Sequence, residues 1–384
     1  MRALALVLLL AGCTEHTDLL PSDGGADGCT TPGPFIRLDP QSACAGALAA
    51  SLMRYAVCSC APLVLTHGLL TEGGGPGPKP MPGMPPMAPI AAVGTDGYVQ
   101  ISGPVQVAGS LEAAGFDGAL FDRTSAVLGT LRSAGPIGSN QYLSIDGDAY
   151  AGGDVIGRID IGGVLHLETD ANVSFMVNAS GEVREPIKVA PPCNCAAGSP
   201  IDVPGLIAMR AQQNDDARIG LAPGAFATAG GPTTLELPCG EYYLDSMHSG
   251  SAELVLGVHG HVALFIGGDV NLANGLRVVL DPAAELDLVV GGNVTVQAGI
   301  VGASAAASVR VWLGSSAVKI FGGVNLSALI YAPSAVVTSE SDLVVTGALF
   351  VRQLAVDGDV AVHYDATALE GGVACGAPSQ DPVN

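Results

Sequence analysis

Between about Ala92 and Cys375 the chain runs as short apolar stretches of four to eight residues, each closed by Gly-Gly, Gly-Asp or Asp-Gly. Tyr98-Val-Gln-Ile101, Leu143-Ser-Ile145, Ile159-Asp-Ile161 and Val164-Leu-His-Leu167 tend to alternate apolar with polar residues, the mark of strands with one buried face. Beyond residue 233 the pattern becomes a motif. Leu264-Phe-Ile-Gly-Gly-Asp-Val270 returns as Leu288-Val-Val-Gly-Gly-Asn-Val294, with weaker echoes at Val311-Trp-Leu313, Leu329-Ile-Tyr331 and Leu349-Phe-Val351. Ile266, Val290, Leu313, Tyr331 and Val351 are spaced by 24, 23, 18 and 20 residues. A drifting period of this size predicts a β-solenoid, whose turns each contact only their neighbours. A β-sandwich explains frequent turns but not a recurring motif. The expected fold is therefore all-β: a parallel β-helix over 92–375 of about ten turns, roughly 50 Å long at about 4.8 Å per turn.

Other segments break the pattern. From Gln41 to Val57, behind Pro40, residues Cys44, Leu48, Leu52 and Tyr55 fall near helical spacing and predict a small Cys-rich helical element over 41–71. Residues 72–91 form a Pro/Gly/Met-rich linker, extended like polyproline II. At 201–216, Asp202 can cap and Pro204 suits a first turn, which predicts one helix packed on the solenoid or capping its open end. Residues 13–40 read as a flexible stalk and 376–384 as a tail.

Composition narrows the function. The 384 residues include 53 Gly and 26 Pro with only 4% aromatics, which excludes a helix bundle and leaves Val, Leu, Ile and Ala to build the core. With 36 acidic against 15 basic residues the net charge is −21. Such a surface repels phosphates, so nucleic acid is excluded as a partner.

Met1-Arg2, an apolar run from Ala3 to Leu10, then Ala11-Gly12-Cys13 read as a signal peptide over 1–12, too short to span a membrane. Leu10-Ala-Gly-Cys13 resembles the bacterial lipobox, which implies cleavage after Gly12 and lipidation of Cys13. Thr14 in place of Asp favours the outer membrane or cell surface, so the membrane is a partner through the lipid anchor. Eight cysteines remain: Cys29, Cys44, Cys58, Cys60, Cys193, Cys195, Cys239 and Cys375. An even number in an exported chain is expected to form disulfides. If 41–57 is one helix, Cys44 and Cys58 lie about 21 Å apart, beyond the roughly 7 Å a disulfide tolerates. Cys193 and Cys195 are expected to pair with Cys239 and Cys375, stapling a central excursion to the solenoid's end.

Candidate chemistry is sparse, and no cofactor is expected. Met81, Met84 and Met87 would line one face of a polyproline helix and suit Cu(I), a weak candidate site. His259-Gly-His261 would set two imidazoles on one strand face, also a weak metal candidate without a third ligand. Asp146, Asp148, Asp154, Asp160, Asn214-Asp-Asp216, Asp357 and Asp359 include the carboxylates that a polysaccharide-cleaving or calcium site would use. Each also sits where a turn or helix end favours Asp or Asn. Trp312 is expected to point inward, and Tyr364 to cover the last turn.

Tyr331-Ala-Pro333, Gly347-Ala-Leu-Phe350 and His363-Tyr-Asp365, with Cys193-Asn-Cys195, Asn214-Asp-Asp216 and Pro238-Cys-Gly-Glu-Tyr-Tyr243, resemble the C-terminal β-solenoid domain of uncharacterised bacterial surface lipoproteins. The resemblance covers roughly 190–375 and implies fold and address, not a reaction. The expectation is a non-catalytic surface lipoprotein presenting a rigid β-helix for adhesion, matrix binding or surface assembly. Polysaccharide, surface proteins and further copies of the chain are its expected partner classes. A carbohydrate-active lyase or hydrolase on the same scaffold is the alternative, and copper binding by the linker a second one.

Overall fold

The computed structural model describes residues 36, 38, 44–74, 91–195, 201–297, 300–302 and 306–369. The strands stack in parallel as a β-solenoid of about 13 turns. Three-residue strands such as Val99–Ile101, Val105–Val107 and Leu111–Ala113 bury their end residues and turn the middle one outward. Their short side chains repeat from turn to turn, so each apolar position becomes an interior column. Val93 stacks on Leu111, Leu111 on Leu131, and Leu131 on Ala149.

Turn order along the axis is not chain order. The first turn in sequence, Val57–Ser59, Leu63–Leu65 and Leu69–Gly74, lies in the middle of the stack. On one side it pairs with Val93–Thr95, Val99–Ile101 and Val105–Val107, and winding continues from there to Val177–Arg184. On the other side it pairs with the chain's last long strands, Leu343–Val356 and Val360–Asp365. That second half begins at the opposite end, with Thr234–Leu244, and winds back toward the middle. Hydrogen bonds cross the junction from Leu349 N to Ala56 O (2.9 Å), Val360 N to Gly68 O (3.0 Å) and Gly68 N to Asp359 Oδ1 (2.7 Å). Residues 185–195 and 201–233 therefore lie along the outside of the stack.

Four expectations change. The helix α1 covers only Ala45–Leu52, and 57–74 is a solenoid turn rather than part of a helical element. Val57, Leu63 and Leu69 occupy the same interior columns as Val93, Val99 and Val105, so the solenoid starts well before residue 92. Residues 72–74, expected in the linker, continue the strand Leu69–Gly74, and the Pro/Gly/Met-rich sequence that follows hides this kinship. Residues 201–216 hold α2, Val203–Arg210, and the start of α3, Asp216–Ile219, instead of one helix. Tyr364 covers no end: it is buried at the junction and its hydroxyl donates to Met53 O at 2.7 Å.

The two true ends are closed differently. Over Thr234–Leu244, the segment around 215–231 forms a lid. His248 N donates to Phe226 O (2.9 Å) and Asp245 N to Pro223 O (2.8 Å), and Phe226 is fully buried. At the other end no lid is seen among the described residues. There Glu182 and Arg184 stand on the interior columns of Leu165 and Leu167. They pair at 2.8 Å, and Arg184 Nη1 donates to Thr169 O and Ala171 O. Charge at inward positions blunts an edge that would otherwise accept another strand.

Candidate functional site

One outward column runs the length of the solenoid, and the returning segment lies along it. In the second half it reads Tyr243, Phe265, Val289, Trp312, Tyr331, Phe350. It crosses the junction through Cys58 and Gly94, then continues as Glu112, Arg132, Tyr150, His166 and Val183.

Trp312 is fully buried, yet not inward as expected. Its neighbours Val311 and Leu313 face the interior with Leu288, Val290 and Ile330. Trp312 faces outward under cover, in a run of tilted aromatic contacts with Tyr331 (5.8 Å) and Tyr331 with Phe350 (4.9 Å). Beside it Arg310, 3% exposed, is held by Asp287 (Nε to Oδ1, 2.7 Å) and Glu285 (2.6 Å). Asp287 Oδ1 also accepts from Trp312 Nε1 at 2.8 Å. Burial works against the charge of Arg310, but the two carboxylates outweigh it and hold its pKa above the usual value.

The cover is the returning strap. Helix α2 begins with Asp202 accepting from Gly205 N at 3.1 Å and with Pro204 in its first turn, as the sequence predicts. It crosses the stack toward the lid. Val203 lies against Gly314 and Ile207 against Gly291, where a Cβ would come within 2.9 and 2.8 Å of them. Arg210 reaches over Phe265 (5.8 Å) and pairs with Glu241. Earlier in the strap, Glu185 meets His166 at 2.7 Å, and Pro192 packs on Gly94.

Midway, the strap is bonded to the central turn by two disulfides, Cys58–Cys193 and Cys60–Cys195. This overturns the expected pairing of Cys193 and Cys195 with Cys239 and Cys375. The strap passes the middle of the stack before it reaches the far end, so its Cys-x-Cys meets the first turn of the chain. The Cys44–Cys58 pair is excluded as expected. Asp96 clamps the same loop, accepting from Cys193 N and Cys195 N at 2.9 Å each. Each bond joins residues 135 apart. In the chain-entropy account the first closure contributes about 5 kcal/mol. The second closes almost no further loop and contributes little. Tyr55 joins the cover from the other side: its hydroxyl donates to Glu112 at 3.2 Å, and burial, then the Glu112 charge, push its pKa up to about 12. Cys44 and Cys239 are also disulfide-bonded. Cys13, Cys29, Cys375, Met81, Met84 and Met87 lie outside the described residues.

The weak histidine pair is not assembled. Gly260 bends the strand at φ 119°, leaving His259 half-exposed between Glu236 (2.8 Å) and Asp281 (2.9 Å), while His261 is buried and partnered. Among the described residues no three His, Cys, Asp or Glu side chains gather as a metal set. The candidate acids are dispersed. Asp148 accepts from Val164 N, Asp154 from Asn172 N, and Asp359 from Gly68 N. Asp160 accepts from Tyr142 and Asn178, and those hydrogen bonds hold its pKa below the usual carboxylate value. Asp215 and Asp216 accept from Glu241 N and Tyr243 N in the lid. Neither Asp96 at the disulfide loop nor the Asp287–Arg310 pair was legible in the sequence; only their fold partners reveal them.

These features define a parallel β-solenoid whose second half is bound by an external, disulfide-pinned strap. A family model described as a domain of unknown function (DUF7305) matches residues 207–370, from α2 through the last long strands. No curated protein and no solved structure matches the chain.

Proposed function

We propose that the protein is a non-catalytic surface module, exported and lipid-anchored through Cys13, which presents a rigid β-helix for adhesion or matrix binding. The observation that carries this reading is the use of the acids. Asp148, Asp154 and Asp359 each accept from a backbone amide of an adjacent turn, and Asp160 bonds side chains of its neighbours. A polysaccharide-cleaving site needs two carboxyl groups converging on one bond, and these are distributed along the stack. The paired disulfides support an oxidising compartment. No helix among the described residues is long and apolar enough to cross a membrane.

The test is a glycan array run beside a depolymerisation screen, on the mature chain with its disulfides intact. Retention of glycans without release of oligosaccharide is the expected result. Release of oligosaccharide overturns the reading and favours the carbohydrate-active alternative.

A further inference from the structure

The lid over Thr234–Leu244 holds oxygens that no group among the described residues satisfies. Asp216 is 6% exposed; its Oδ1 accepts from Tyr243 N at 2.9 Å, but its Oδ2 is sealed from solvent with no hydrogen-bond partner. Tyr242 is fully buried beneath the lid and its hydroxyl is likewise unpartnered. Burial pushes the pKa of that hydroxyl up to about 12; the Arg218 charge works against the rise, and the negative charges of Asp215 and Asp216 add to it. Gly240, at φ 148°, lets Asp215 and the Tyr242 hydroxyl close in on the strand: a Cβ there would stand 2.6 Å from Asp215 Oδ2 and 3.3 Å from the Tyr242 oxygen.

The charges do not balance within the lid. Arg218 lies 3.4 Å from Asp215 and offsets one carboxylate. Arg210 is engaged by Glu241. Among the described residues Asp216 has no ionic partner, and buried charges are stable when paired or when they coordinate a metal. Asn214 does not relieve it, because its side chain serves Asp216 N and Arg210 O.

We propose that Asp215, Asp216 and the Tyr242 hydroxyl form an oxygen site for a hard divalent cation, calcium, which locks the lid onto the first turn of the second half. Hard cations take oxygen ligands, and backbone carbonyls and water complete the shell. With only two carboxylates the affinity is that of weak extracellular sites, about 10⁻⁴–10⁻³ M. This site is independent of the surface-display reading, since a structural ion serves an enzyme or an adhesin equally.

The test uses the full mature chain, stripped of metal with a chelator and then melted in calcium, magnesium or sodium chloride at matched ionic strength. Calcium at tenfold excess over its dissociation constant is expected to raise Tm by about 2–4 °C. Terbium should show tyrosine-sensitised emission that calcium displaces. Asp216→Asn keeps the acceptor for Tyr243 N and should abolish both responses. Tyr242→Phe is the second arm. Without a cation it removes only an orphan hydroxyl and leaves the calcium response as it was; with one, it weakens that response. A melting temperature indifferent to calcium overturns the site, and so does an undiminished response in Asp216→Asn or Tyr242→Phe.

Discussion

A single column of outward residues meets two different environments. In the second half it is Phe265, Val289, Trp312, Tyr331 and Phe350, all buried; past the junction it becomes Glu112, Arg132, Tyr150 and His166, all partly exposed. The backbone is the same in both, a parallel ladder with one residue per turn. The difference lies in what covers it. Over the second half α2 and the lid press onto the sheet, so the outward face becomes a second core. Over the first half the strap meets the column at Gly94 and His166 but leaves its side chains partly exposed, and they stack on one another: Arg132 sits 4.0 Å above the ring of Tyr150, which stacks on His166 at 4.4 Å. The comparison teaches that the strap, rather than the solenoid, decides which outward positions carry stability.

The largest way to break the comparison is to free the strap. Replacing Cys58 and Cys60 together by Ser is expected to cost up to about 5 kcal/mol, while either replacement alone costs little, because both bonds close one loop. Urea unfolding of the two single variants and the double variant measures this directly. Next in size is Asp287→Ala, which leaves Arg310 to Glu285 alone and Trp312 Nε1 unpaired in the covered half, and is expected to cost about 3 kcal/mol. Tyr150→Ala, in the same column of the open half, should cost under about 1.5 kcal/mol, mostly its stacking. Equal losses for the two would remove the distinction between the halves.

Asp96→Ala is expected to cost about 2–3 kcal/mol through two lost charge-assisted bonds to the strap. Its clearer signature is faster trapping of Cys193 and Cys195 by a thiol reagent under mild reductant. The smallest effect concerns His259. Burial lowers its pKa, but the hydrogen bonds and charges of Asp281 and Glu236 outweigh that, and the net shift is upward. Its contribution is therefore complete below the unfolded value, about 6.5, and is lost as pH rises through the folded value. Melting temperatures should fall slightly over that window, and His259→Gln should flatten the decline.

The two ends offer a further contrast in legibility. The need for a cap was readable from the open edge that any β-helix exposes, and Asp202-Val-Pro204 did mark a helix start. What that helix covers was not readable, because α2 lies along the flank while the lid is the less regular chain around 215–231. The blunt end was invisible in the sequence: Glu182 and Arg184 look like ordinary surface charges until the register sets them over Leu165 and Leu167.

The repeat motif was strongest after residue 233 for the same reason that Trp312 is buried. Strands covered on both faces lose alternation and become continuous apolar runs such as Val262-Ala-Leu-Phe-Ile266. In the open half, alternation persists and marks each strand but not its partner.

Alternation, glycine-rich corners and a period near twenty residues were local properties, so the sequence by itself determined that this chain winds into parallel turns. Tertiary structure alone decided the order of those turns. Every turn presents nearly the same edge, so hydrogen bonding does not distinguish one neighbour from another. The choice falls to distant contacts: Tyr364 on Met53, Asp359 on Gly68, and two cysteine pairs that tie the strap to the central turn.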